Sequence, residues 1–482
     1  MNLSMIAYIV SCVMEIEAGL MLLPALVGLI YGETSALSFL VVAAVVAALG
    51  LFFVLRKPKN TAFYAREGFV ATALSWLMMS AIGAVPFAVT GQIPHYLDAL
   101  FEMVSGFTTT GASILLEVEP LDKCMLFWRS FSHWVGGMGV LVFMLAILPL
   151  TGAGGQKLYL MRAESPGPTV DKLSPKLRVS AMWLYGIYLG LSLLCFLLLL
   201  VGGMDAFSAM CMTFGAAGTG GFGILSSSFA SYSMMCKVVA TVFMLLFGIN
   251  FNFYYLLILR RFRDAVKMEE VRWYLIIFLF VSGTILLNLW HAGILGRDAR
   301  PIDAFFSVSS VMTTTGYATV DFNRWPTYSR MILVGIMFTG ACAGSTGGGI
   351  KVSRIMILVR SSLCDLRQLH RPREINRVRL EGRVVDDETV RSTRVFFVLY
   401  IMLTFLAVFV VSFDGFDLQT SFTGVVACIS NIGPGLSLVG PEGGFAMFSW
   451  LPKLVLIWCM LLGRLELYPM LLIFAPSMWK RH

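Results

Sequence analysis

Four short stretches of this chain carry the residue types that hold a small cation through its backbone: Thr109, Thr110 and Gly111; Thr219, Gly220 and Gly221; Thr314, Thr315 and Gly316; Asn431, Ile432 and Gly433. Runs such as FTTTGAS are poor helix interiors and poor strand cores, because Gly loses backbone entropy and Thr hydroxyls compete for backbone partners. Irregular backbone of that kind presents carbonyl oxygens, and carbonyls can replace an ion's hydration shell.

Each stretch closes a longer unit: DALFEMVSGFTTTGAS (98–113), DAFSAMCMTFGAAGTGGFG (205–223), DAFFSVSSVMTTTGYAT (303–319) and DLQTSFTGVVACISNIGPG (417–435). Each opens with Asp, runs through mostly apolar residues and ends in a Gly-containing turn. From Asp to the aligned glycine the interval is 13 residues for Gly111 and Gly316, and 16 for Gly221 and Gly433. A single TTTG reads as a polar outer loop; four copies in this setting read as an internal repeat. A helix of about ten residues is about 15 Å long, half a bilayer, so it can dip in but not cross. Asp suits the positive helix start as an N-cap, which leaves the partially negative end pointing inward, where four such ends favour a cation. Non-helical backbone at that depth survives only when buried in protein or lining water.

The elements that must position these turns are legible in the composition. Of 482 residues, 58% are hydrophobic and 13% charged, a balance for a bilayer and not for a soluble globule. The runs Leu37–Leu55, Leu275–Trp290 with its flanks and Val395–Ser412 have the length of spans. The first thirty residues carry Glu15 and Glu17 and lack a basic start with a small-residue cleavage site, so a retained helix is expected there and not a signal peptide. The nine cysteines form no CxxC and read as core residues. The net charge of +8 is unevenly placed: Lys and Arg gather in 56–66, 157–178, 260–272 and 351–394, the last holding eleven, and are absent from 86–122, 201–230 and 413–449. That asymmetry puts the basic loops in the cytoplasm and the repeat stretches outside, and it explains the charge better than nucleic-acid binding does.

Two further features bear on conduction. Residues 325–362 are too long for one span, and their middle, GACAGSTGGG (340–349), has five glycines in ten; an uninterrupted helix is not expected where each Gly costs about 1 kcal/mol against Ala. Either a broken helix lines the path or small residues permit close packing. A nucleotide loop is disfavoured, because Ile350 separates Gly349 from Lys351 and breaks the phosphate-loop register. Arg464 lies fourteen residues beyond Trp450, about 20 Å down a helix that enters from outside. A charge there must face protein or water, and Glu466, two positions on, does not share its helix face. Pairing with another helix stays open. Arg129 and His133 share a helix face and read as struts against the first short helix, with no metal assigned to His133. The segment from Arg354 to Arg394, with mixed charge and Pro372, reads as a cytoplasmic connection, either a solvated face near anionic lipid or a docking surface.

These motifs resemble the Trk/Ktr/HKT superfamily of potassium transporters, and most closely the bacterial Trk-type membrane subunit. Thr110-Gly111, Gly220-Gly221, Thr315-Gly316 and Ile432-Gly433 match its filter positions, and NIGPG in the fourth unit departs most from the Thr-x-Gly pattern. The resemblance implies an all-α polytopic fold of two extra N-terminal helices (1–60) and four units of helix, re-entrant pore helix, filter and helix: 61–155, 156–265, 266–365 with the Gly-rich loop, and 366–482 with the basic connection. It implies potassium as the substrate at the filter residues, since Gly in all four quarters goes with potassium, and no organic cofactor. It implies gating by Gly340, Gly344, Ser345, Thr346, Gly347, Gly348, Gly349 and Lys351, with Arg464 projecting below the filter. It further implies the bacterial inner membrane, a homodimer and a cytosolic nucleotide-binding ring subunit as regulator. A proton- or sodium-coupled carrier is the alternative, with Glu15, Glu17 and Glu466 as the few acids within spans. An enzyme is not expected, for five scattered histidines without HExxH supply no reactive cluster.

Overall fold

The computed structural model describes residues 1–56, 58, 65–139, 177–371, 376–465, 467, 470 and 471. Glu466 and most of the basic cluster at 157–178 lie outside the described residues. Two helices lead, α1 (Leu3–Tyr31) and α2 (Ala36–Val54), packed along each other. The turn between them is tight: a Cβ on Gly28 would sit 2.8 Å from that of Ala36. On α2, Leu37, Val41, Val45 and Leu49 are exposed while Phe39, Val42, Ala43 and Val46 are buried, so a helix apolar all round turns one face to lipid and the other to protein.

After them one order of elements recurs four times: long helix, short helix, turn, second helix. The first set is α3 (Ala65–Val89), α4 (Tyr96–Phe107) and α5 (Lys123–Gly137). The second is α6 (Leu177–Val201), α7 (Ala206–Gly218) and α8 (Met234–Phe247), which bends by 90° into α9 (Phe251–Ile258). A short α10 (Phe262–Lys267) leads to α11 (Glu269–His291), α12 (Pro301–Met312), α13 (Thr327–Met337) and, after an interruption, α14 (Val352–His370). A two-stranded hairpin, β1 (Arg379–Leu380) with β2 (Arg383–Val384), precedes α15 (Asp387–Val411), α16 (Leu418–Ile429) and α17 (Trp450–Leu465). Six described helices are long and apolar enough to cross a membrane, seven with α8 and α9 taken as one span. Two of the expected spans begin earlier than their apolar runs. Glu269 and Glu270 occupy the first turn of α11, and Asp386 caps α15 by accepting from the Thr389 N–H at 3.2 Å; acids are favourable at the positive helix start.

The same rule corrects the expectation that every repeat Asp is an N-cap. Asp205 and Asp417 are N-caps, accepting from the Ser208 and Thr420 N–H groups at 3.0 and 3.1 Å. Asp98 and Asp303 instead sit third in their helices, whose N-caps are His95 and Arg300. There Asp303 accepts from the Arg300 N–H at 2.8 Å and the Thr319 hydroxyl at 2.7 Å, and Asp98 pairs with Lys453 at 2.6 Å. N-cap to third position is three residues, which accounts for the intervals of 16 and 13. The four short helices are accordingly alike, at 12, 13, 12 and 12 residues.

Behind the first unit lies a charged strut. Arg129 on α5 pairs with Glu102 on α4 at 2.7 Å, both buried, and its guanidinium also donates to the Gly223 carbonyl at 3.2 Å and the Ser113 hydroxyl at 3.3 Å, 4.2 Å above the Phe222 ring. Glu102 accepts in addition from the Ile114 N–H at 3.0 Å. Removing one member of such a pair strands the other, at a cost of about 3–5 kcal/mol. Arg129→Met is therefore expected to lower the melting temperature of the detergent-solubilised protein sharply, while the double variant Arg129→Met, Glu102→Met recovers part of the loss; equal damage in both would show that the pair is not the source.

Candidate functional site

All four short helices end on one and the same turn. Thr109, Thr219, Thr314 and Asn431 stand in the left-handed region, with φ of 54°, 54°, 58° and 57°, a conformation unfavourable for side chains branched at Cβ. The N–H of the next residue, Thr110, Gly220, Thr315 or Ile432, reaches back to the carbonyl of Ser105, Gly215, Ser310 or Ala427 at 2.8–2.9 Å. This is a Schellman termination with Thr or Asn where Gly is usual. Side chains hold it: the hydroxyls of Thr108 and Thr110 bond at 2.8 Å, those of Thr313 and Thr315 at 2.7 Å, and the Asn431 amide donates to the Thr110 hydroxyl and the Met460 carbonyl, both at 2.9 Å. The divergent fourth unit thus keeps the backbone and supplies a bond across to the first.

One residue further on, Gly111, Gly221, Gly316 and Gly433 have φ of 79°, 81°, 88° and 98°. A Cβ on Gly111 would overlap the Gly220 carbonyl oxygen, one on Gly221 that of Thr315, and one on Gly316 that of Ile432; one on Gly433 would lie 2.9 Å from that of Thr110. The contacts run from first unit to second, second to third, third to fourth and fourth to first, so the turns close into a ring. All four glycines line a single cavity. The outer segments are stitched in the same order: Ser226 N–H to Glu119 at 2.7 Å, Phe229 N–H to the Ala318 carbonyl at 2.9 Å, Ser437 N–H to Asn323 at 2.8 Å and Phe445 N–H to the Ser113 carbonyl at 2.9 Å. His133 braces the ring from behind. Its Nδ1–H donates to the Gly106 carbonyl at 2.7 Å and its Nε2 accepts from the Phe222 N–H at 3.1 Å, which uses both ring nitrogens as a neutral imidazole.

The Gly-rich segment breaks the helix between α13 and α14, as its glycines led one to expect, and folds against the ends of the short helices. The Gly340 N–H donates to the Ile350 carbonyl at 2.8 Å at its stem. Gly348 N–H donates to the Thr314 hydroxyl at 2.6 Å, and a Cβ on Gly348 would meet the Ser430 carbonyl at 2.7 Å. Gly344 and Gly349 have φ of 68° and 64°, available to glycine without strain. The bend between α8 and α9 receives the other side: Cys342 N–H donates to the Gly248 carbonyl and Phe251 N–H to that of Gly344, both at 3.0 Å, and the Thr346 hydroxyl to that of Phe247 at 3.2 Å. The Lys351 ammonium bonds the Gly347 and Gly348 carbonyls within the loop, and Ser345 donates to the Cys342 carbonyl at 2.7 Å. Arg464, at the end of α17, donates to the Thr346 carbonyl at 2.7 Å and the Gly136 carbonyl at 2.6 Å, so it ties the loop to the end of α5.

The turn residues, the Gly-rich loop, Arg464, Arg129 and His133 are thus brought to one locality, while Glu15 and Glu17 lie on α1 and Glu466 is outside the described residues. What the sequence reading missed are the acids that answer its cations and amides. Glu102 was hidden inside an apolar helix, although a lone buried acid opposite RSFSHW is the signature of a pair. Glu270, which accepts from the Ala343 and Ser353 N–H groups at 2.8 and 3.0 Å, reads in sequence only as a first-turn acid. The nine cysteines are free thiols, seven of them buried.

Residues 36–481 match the family model described as TrkH, cation transport protein. The chain is 35% identical over 466 residues, 95% of each chain, to the Trk system potassium uptake protein TrkG of Escherichia coli strain K12. It is 34% identical over 488 residues, covering all of both chains, to the Trk system potassium uptake protein TrkH of the same strain. The crystal structure of the potassium transporter TrkH from Vibrio parahaemolyticus superposes with a TM-score of 0.87 at 29% identity over the whole of both chains.

Proposed function

This chain belongs to the TrkH family of cation transport proteins, and on that premise we propose that it carries potassium into a bacterial cell through the ring of four turns. It is a multi-pass helical membrane transporter and not an enzyme. The observation that carries the reading is the closed ring: four turns of like backbone, each with its glycine set against the next turn in cyclic order around one cavity. In this reading Thr109, Thr110 and Gly111, Thr219, Gly220 and Gly221, Thr314, Thr315 and Gly316, and Asn431, Ile432 and Gly433 form the filter. Their carbonyls take over the coordination of a dehydrated potassium ion, and the negative ends of α4, α7, α12 and α16 lower the cost of a cation there. The units are taken as in the sequence reading, with its divisions at 60 and 155 outside the described residues and those at 265 and 365, which fall inside α10 and α14, moved beside those helices. The inner membrane, a homodimer and a nucleotide-binding ring subunit on the basic face of residues 354–394 complete the proposal.

The loop from Gly340 to Lys351, held by Arg464, is the gate in this reading, because it lies across the helix ends beneath Thr314 and Asn431. Coupled transport has weaker support. Glu15 and Glu17 are on α1, which packs against α2, α3 and α5 and contributes nothing to the ring.

Three expected outcomes test these assignments by tracer uptake into proteoliposomes of the purified protein. Gly111→Ser puts a side chain at positive φ against the Gly220 carbonyl, and is expected to reduce discrimination of potassium over sodium; unchanged selectivity in a correctly inserted variant would refute the filter assignment. Shortening Gly344–Gly349 is expected to raise flux, and persistently low flux in a variant that still binds potassium would return the loop to a packing role. Arg464→Ala removes the bond to Thr346 on the loop, the bond to Gly136 on α5 and a positive charge; a cation passing about 4 Å from such a charge meets about 4 kcal/mol of repulsion at an effective dielectric near 20. Conduction is expected to rise with selectivity nearly unchanged, whereas lost thermal stability with no gain in flux would make Arg464 a strut.

A further inference from the structure

The Gly-rich loop leaves the helical ladder at Met337 and rejoins it at Val352, so its backbone N–H groups need acceptors from elsewhere. One of them, at Ala343, and the N–H of Ser353 in the first turn of α14 converge on one atom. Oε1 of Glu270 accepts both, at 2.8 and 3.0 Å. Glu270 is 5% exposed, Ala343 6% and Ser353 3%, so these bonds are sheltered from water and correspondingly strong. The loop's own stem is slight by comparison: one backbone bond from Gly340 to Ile350 at 2.8 Å and one from Val352 to Ala341 at 3.3 Å.

The carboxylate comes from a different element, the first turn of α11, and its neighbour in sequence faces the other way. Glu269 accepts from Arg360 on α14 at 2.9 Å and from the Glu381 N–H, in the turn between β1 and β2, at 3.2 Å. Arg360 in turn donates to the Arg379 carbonyl. Consecutive residues of one helical turn therefore grip the loop on one side and the basic cytoplasmic hairpin on the other.

We propose that Glu270 is the positioning residue that keeps the loop seated beneath the turns, by holding both of its ends on a single carboxylate oxygen. The inference rests on reading the loop as a gate. It assigns Glu270 no contact with the ion; the carboxylate acts through the backbone of Ala343 and Ser353. The Glu269 contacts place the same turn where movement of the hairpin pulls on the loop stem, which gives a cytoplasmic partner a short mechanical route to the gate.

The test compares Glu270→Ala, Glu270→Gln and the loop-shortened variant by tracer uptake into proteoliposomes, with potassium over sodium selectivity and melting temperature measured on the same preparations. Ala removes both bonds from the seated state and is expected to raise flux about tenfold, with selectivity unchanged. Gln keeps the accepting oxygen and is expected to leave flux near that of the unmodified protein. Glu270→Asp, which withdraws the oxygen by one methylene and retains the charge, is expected to give an intermediate rise and serves if the Ala variant does not fold. If shortening the loop raises flux and neither Ala nor Asp does, the Glu270 inference is overturned while the gate reading stands. If shortening the loop has no effect, the gate reading fails and takes this inference with it. A rise in Gln equal to that in Ala, or loss of selectivity in Ala, would also overturn it, since the first separates the effect from the accepting oxygen and the second moves it to the filter.

Discussion

A helix end buried away from water leaves carbonyls and amides that must find partners within the protein, and the fold is organised around that constraint. Four helices of 12 or 13 residues end this way, and each solves it with the same left-handed turn, spending conformational energy on Thr or Asn at positive φ to recover a backbone bond five residues back. The turn then delivers a glycine against the neighbouring unit, where no other residue fits. Close approach of backbones, carbonyls collected around one cavity and burial of the helix ends are one arrangement seen three ways.

Identical backbones are supported by unlike surroundings. The first two units are joined behind the turns by Arg129, Glu102 and His133, packed around Phe222. The second and third are joined by Tyr317, whose hydroxyl donates to the Met212 carbonyl at 2.9 Å, and the third and fourth by Asn323 with Ser437. Asn431 joins the fourth to the first. The lower side is equally uneven, for one loop from the third set of elements, tethered by Arg464 from the fourth and received by the bend between α8 and α9, covers the helix ends. A four-part ring with a one-part cover follows from carrying the repeats on a single chain, where each copy is free to differ outside the turn.

The repeat was legible in sequence because the turn needs particular residue types. Glycine at Gly111, Gly221, Gly316 and Gly433 is demanded by positive φ and by contact with a carbonyl, so the pattern survives where the rest of the unit diverges. The break in the long helix was legible for the same reason, from Gly340 to Gly349. The Asp positions misled: an acid at the N-cap and one three residues later both serve the helix start, so intervals of 13 and 16 looked like different lengths and were not. What could not be read were contacts between segments far apart in the chain. Arg464 invited a carboxylate partner or an open pore, and it donates to the carbonyls of Thr346 and Gly136, since backbone oxygen carries no signal in the residue string. Glu102 and Glu270 were hidden for the complementary reason, being acids whose partners are named only by the fold.

The seam between the fourth and first units has a consequence for biosynthesis. Asn431 meets Thr110 across 321 residues, Arg464 meets Gly136 across 328, and Lys453 meets Asp98 across 355. In a chain delivered to the membrane from its N-terminus, the first three units are inserted while the ring still lacks one side, and the last stretch closes it. Until then Thr110, Gly136 and Asp98 lack the partners that the fourth unit supplies. Closure of the ring therefore waits on α17, which carries two of the three contacts.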